Sequence, residues 1–165
     1  MKHPPMALLD LPSHARLWIF QSSQPLSSDE MGFIDKELKS FLADWNTHGS
    51  AMRADFEFQL DQILVVAAAE EQMAASGCSI DKLTREIQRL GAALNKNLLD
   101  RQIIFYKEGD IIHSAPIATF WGLRKANRIS DETIVLDTTV KNLNEWLTEG
   151  WKKFGLSWHK EMYGR

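Results

Sequence analysis

The chain predicts an α+β fold: two layers, a largely antiparallel sheet with helices packed on it. Three observations lead there. Residues 31–45 and 80–94 carry apolar side chains at spacings of three and four, each making one face of a helix. Residues 54–67 and 103–113 read as pairs of strands joined by short turns. The first six elements then run strand, helix, strand, strand, helix, strand, the order of a ferredoxin-like core.

At 165 residues the chain is long enough to bury a core without disulfide or metal support. Residues 1–14 hold three prolines and no period and read as an N-terminal arm, with 15–165 as a single α+β domain. The net charge of −3 gives no field strong enough to gather nucleic acid or an acidic membrane. The one cysteine makes no intramolecular disulfide, which points to a reducing compartment and a cytoplasmic protein. No signal peptide pattern opens the chain, and its longest apolar run, 63–69, falls well short of the roughly 20 residues of a membrane helix. Six tryptophans fit either a Trp-rich core or a partner surface.

Aromatic and β-branched residues over 15–22 predict a buried first strand. Ser27-Ser28-Asp29-Glu30 is a capping box, and Met31, Ile34, Leu38, Phe41, Leu42 and Trp45 form the inner face of the helix it opens. His48-Gly49 reads as that helix's C-cap. Phe56, Phe58 and Leu60 alternate with polar residues, a half-buried strand. Asp61-Gln62 turns the chain into Ile63-Leu64-Val65-Val66-Ala67, a strand buried on both faces. Ser79 reads as the N-cap of a second helix carrying Ile80, Leu83, Ile87, Leu90 and Leu94. Lys107-Glu108-Gly109-Asp110 turns a second hairpin. Ser114 caps a third helix with Pro116 in its first turn, 133–136 is a short strand, and Thr138 or Thr139 caps a last helix reaching Leu147 and Trp151. Phe154, Leu156, Trp158 and Tyr163 make the tail too apolar to hang free.

Trp45-Asn46-Thr47-His48-Gly49 and Ala75-Ser76-Gly77-Cys78-Ser79-Ile80-Asp81, taken together, resemble an uncharacterised family of small bacterial proteins. The resemblance spans roughly residues 15–160 and is most specific at Gly-Cys-Ser-Ile-Asp. It implies no particular activity. The label "ABC transporter ATPase" often attached to that family does not suit this chain. No glycine is followed by Lys-Ser or Lys-Thr as in a Walker A loop, and Asp131-Glu132 follows no apolar strand.

The 75–81 stretch is also where chemistry would sit. The positive end of a helix favours thiolate, so Cys78 is a candidate nucleophile, with His48 as base and Asp81 or Asp55 orienting the imidazole. The alternative is a buried packing cysteine. Ser76, Gly77 and Ser79 offer amides and small side chains for a small anionic ligand, or the loop caps itself. The histidines at 3, 14, 48, 113 and 159 have no ligand spacing, so no metal or other cofactor is expected. Arg124, Lys125 and Arg128 beside Phe120 and Trp121 suit a solvated helix face better than nucleic acid. The leading functional expectation is a non-enzymatic binding or assembly module, with Trp151, Trp158 or Tyr163 at a contact between two copies in a homodimer. An anionic-ligand pocket and a thiol-dependent enzyme are the alternatives.

Overall fold

The structure, a computed structural model, describes residues 7–47, 50–69 and 77–163. The chain divides into two units, Met1–Asp100 with Lys141–Asn144, and Arg101–Val140 with Glu145–Arg165. The class is α+β: among the described residues there are five α-helices and antiparallel sheets of three, two and four strands.

In the first unit a 3-10 turn, Ala7–Asp10, precedes β1 (Arg16–Gln21), and Leu8 and Leu11 beside it are buried. Helix α1 (Ser28–Asp44) opens on the expected capping box: Ser27 Oγ accepts from the Glu30 amide at 3.1 Å, and the Ser27 amide donates to Glu30 Oε1 at 2.9 Å. The short strands β2 (Asn46–Thr47) and β3 (Ser50–Ala51) pair with each other. The long strands β4 (Arg53–Leu60) and β5 (Ile63–Ala69) form the first hairpin, and helix α2 (Gly77–Leu94) follows. The sheet order is β1-β5-β4, antiparallel throughout. All seven residues of β5 are buried, as a central strand without a single polar side chain should be. Its Val66 and Ala68 join Phe56 of β4 in one core with Ile34, Leu38 and Leu42 of α1 and Leu83, Ile87 and Leu90 of α2. Each of the larger side chains, Ala68 apart, contributes about 1.5–3 kcal/mol on leaving water. The outer edge of β1 is covered by the 141–144 segment, where Leu17 N–H donates to Lys141 O at 3.0 Å and Leu143 N–H to Ala15 O at 2.9 Å.

The second unit is built on β6 (Ile103–Glu108), β7 (Ile111–Pro116), β8 (Ile134–Leu136) and β9 (Trp151–Lys153), in the order β7-β6-β8-β9. Gly109 turns the β6–β7 hairpin at φ +61°, where a side chain would strain the backbone. Helix α3 (Ile117–Lys125) sets Phe120 against Ile104, Tyr106, Val135 and Phe154 in this unit's core. Helix α4 (Leu143–Glu149), a 3-10 turn at Phe154–Leu156 and helix α5 (His159–Tyr163) complete the chain.

The strand-helix-strand-strand-helix-strand order is present, and its last strand, β6, enters the second sheet by pairing with β7 and β8. Three local expectations are corrected. Helix α2 already includes Gly77 and Cys78, so Ser79 lies inside it and is not the N-cap. The strand β7 runs through Ser114 to Pro116, and Pro116 itself is the residue before α3. The last predicted helix is shorter: it starts at Leu143, so neither Thr138 nor Thr139 caps it, and Trp151 belongs to β9, while at Gly150 between them a Cβ would lie 2.5 Å from the Trp146 ring. The His48-Gly49 cap lies outside the described residues, and α1 ends with Trp45 as its C-cap.

Candidate functional site

The start of α2 is held by Trp45. This indole is buried, meets Trp18 edge-on at 5.7 Å and Phe41 at 5.8 Å, and its Nε1–H donates to Ser79 O at 2.9 Å. One bond therefore ties the end of α1 to the first turn of α2. Such a carbonyl is already engaged within the helix, so the second bond costs the helix nothing and satisfies a buried indole.

Around that anchor the predicted site residues separate. Cys78 is exposed, which sets aside the reading of it as a buried packing residue. Gly77 and Asp81 are exposed as well, and a Cβ at Gly77 would meet only open space. Ser79 is turned inward and buried. Asp55 bonds its own neighbour, accepting from the Phe56 amide at 2.8 Å. His48 and Ser76 lie outside the described residues. One helical turn after Cys78 on the same stripe, Lys82 joins Glu86 and Arg89 in lining an open cleft of about 260 Å³ against Glu37, Phe41 and Trp45. Arg89 spans it, 2.6 Å from Glu86 and 3.6 Å from Glu37, so the charge on that wall is largely internally matched.

The second unit contains a polar cluster that the sequence did not announce. His159 is almost fully buried. Its Nδ1 lies 3.1 Å from Ser157 Oγ, and that hydroxyl donates to Phe154 O at 2.9 Å, which leaves Nδ1 as the protonated ring nitrogen. Trp158 stacks on the imidazole at 3.9 Å. Burial pushes the His159 pKa down to about 4; the charge of Asp137 opposes this and that of Lys152 adds to it. Burial also raises the Asp137 carboxyl, but bonds from Lys152 (2.9 Å) and Thr139 (2.8 Å from its amide) outweigh it and hold the group below the ordinary carboxylate range. The Ser–His–Asp set does not assemble a nucleophile, because the buried hydroxyl is committed to a backbone carbonyl. It fastens the C-terminal segment. Its ring meets Phe120, 39 residues earlier in the chain, a neighbour that local sequence does not announce.

Arg124 bonds Asp131 at 3.0 Å, Arg128, beyond the end of α3, lies 3.5 Å from Glu108, and Lys125 sits over the Trp121 ring at 4.9 Å, so each of the three basic groups has a local partner. Of the tryptophans expected at a contact, Trp158 is exposed on one side and Trp151 is half-buried beneath Lys107, 4.6 Å above its ring. The Tyr163 side chain lies outside the described residues. Among the described residues no group of histidine, cysteine and carboxylate side chains has metal-binding geometry, and no helix is long and apolar enough to cross a membrane. No protein-family model, no curated protein and no solved structure matches the chain.

Proposed function

We propose that the protein is a non-enzymatic binding or assembly module whose contacts are made by its second unit. One observation carries this reading. Among the described residues, every strongly exposed large apolar side chain except Leu9 lies in that unit: Ile111, Leu147, Leu156, Trp158 and Met162. Leu156 is 78% exposed, and three of the five fall within 156–162. Scattered single exposures are ordinary, but a run within one short segment marks a surface that is covered in use. The double substitution Leu156→Ser with Met162→Ser tests it. Surface changes of this kind shift stability by about 0.5 kcal/mol or less, so the fold is retained. The adducts trapped by lysine cross-linking in intact cells are expected to fall at least about fivefold, a loss of roughly 1 kcal/mol in contact energy. An unchanged adduct pattern contradicts the proposal.

A second reading is supported by the exposure of Cys78 at the first turn of α2: a thiol that exchanges with small reagents. Alkylation of Cys78 in the native protein is expected to run within about tenfold of its rate in the unfolded chain, as an unobstructed thiol does. Labelling only on unfolding contradicts it.

A further inference from the structure

Among the described residues strand β7 is the edge of the second sheet and pairs only with β6. Its outward groups follow from the ladder. Ile117 N–H donates to Gln102 O at 2.9 Å, one step beyond the Ile103–Pro116 pair. In an antiparallel ladder, alternate pairs exchange bonds. Ile111, His113 and Ala115 therefore bond toward β6, while Ile112, Ser114 and Pro116 turn their backbone groups to the free side. Pro116 has no N–H. The edge thus offers two donors, Ile112 and Ser114, and no bond among the described residues uses them.

Edges of this kind are ordinarily blunted by charge. Ile-Ile-His-Ser-Ala-Pro contains no Lys, Arg, Asp or Glu, so two such edges approach without like-charge repulsion. We infer that β7 pairs antiparallel with β7 of a second copy of this chain, centred on His113, and joins two four-stranded sheets into one. The inference rests on the binding or assembly reading of the second unit and adds to it a separate contact, at β7, with a second copy of this chain. In this register Ile112 of each copy stands opposite Ser114 of the other, and every outward donor meets a carbonyl. Ile111, which is 64% exposed, falls opposite the small Ala115 of the second copy. The strand is large in its first half and small in its second, so antiparallel self-pairing sets each isoleucine opposite a small residue, Ile111 with Ala115 and Ile112 with Ser114, while His113 meets His113 at the centre. Pro116 falls opposite Asp110, a turn residue outside the ladder, so its missing N–H removes no bond.

Sedimentation velocity on the full chain tests this across a wide concentration range. The wild type is expected to form a dimer. Ser114→Pro removes one donor per copy and no bond of the isolated chain, and is expected to raise the dimer Kd at least about tenfold. Ile111→Lys, which leaves the backbone intact, is expected to do the same, while Leu156→Ser leaves the dimer in place. A wild type that stays monomeric, or a Ser114→Pro dimer as tight as wild type, overturns the inference. A dimer dissolved by Leu156→Ser alone overturns the strand pairing and leaves the assembly reading standing. A monomer whose cellular cross-links also ignore Leu156→Ser with Met162→Ser overturns both.

Discussion

Trp45→Ala is expected to destabilise the first unit by about 3–5 kcal/mol, the range for truncating a large buried aromatic. The loss has two parts. The indole fills the core between Trp18 and Phe41, and its N–H ties Ser79 O to the end of α1. Trp45→Phe separates them, because a ring remains while the bond is lost, and is expected to cost about 1–2 kcal/mol. Denaturant unfolding reads both values. Amide hydrogen exchange reads the location: in Trp45→Phe the first turn of α2, around Cys78, is expected to exchange faster, with the β1–β5 ladder little changed. Equal stability of Trp45→Phe and wild type would show that the bond to Ser79 does not hold the helix start.

Acidification is expected to weaken the protein through His159 on the order of 3 kcal/mol between pH 6.5 and 4. The sign follows from linkage. The imidazole titrates near 6.5 when unfolded and at about 4 when folded, so within this window the unfolded chain binds the extra proton. Stability from the neutral, buried ring is complete above pH 6.5 and disappears as pH falls toward 4. The groups facing it are accounted for: Lys152 also repels the proton, and Asp137, which attracts it, is held ionised by Lys152 and Thr139. Asp137 adds its own loss only at lower pH, as its carboxyl protonates. His159→Gln keeps a hydrogen-bonding side chain and removes the titration. Melts of wild type and His159→Gln at pH 7 and pH 4.5 are expected to show a steeper acid loss in the wild type, and parallel losses would contradict the assignment.

Most local elements were legible because the signals that made them were local. Ser27 and Glu30 are three residues apart and cap each other, the face of α1 repeats within its own length, and β5 is apolar from end to end. What escaped depends on partners far along the chain. Nothing within 103–108 says that β6 leaves the first sheet, since the choice rests on pairing with 111–116 and 134–135. Trp151 repeated the helical spacing of Trp146, and the period hid the stop signal in Gly150, whose missing side chain makes room for that ring. Ser79 has the residue type of a cap but lies inside the helix, fixed by an indole 34 residues earlier. Cys78 was visible as a candidate from its place at a helix start, yet its exposure is a property of the folded surface. The burial of His159 was not legible, because its ring packs on Phe120, 39 residues earlier, and only Trp158, which stacks on it, is a sequence neighbour.

The second unit as the contact surface is tested most directly by moving a photo-cross-linking residue between the two units in living cells. Positions Ile111 and Leu156 represent the second unit, and Lys36 and Arg85, both exposed on helices, represent the first. Discrete adducts of defined mass are expected from Ile111 and Leu156, with little or none from Lys36 and Arg85. Adducts from the first unit alone, or equal yields from all four positions, would contradict it.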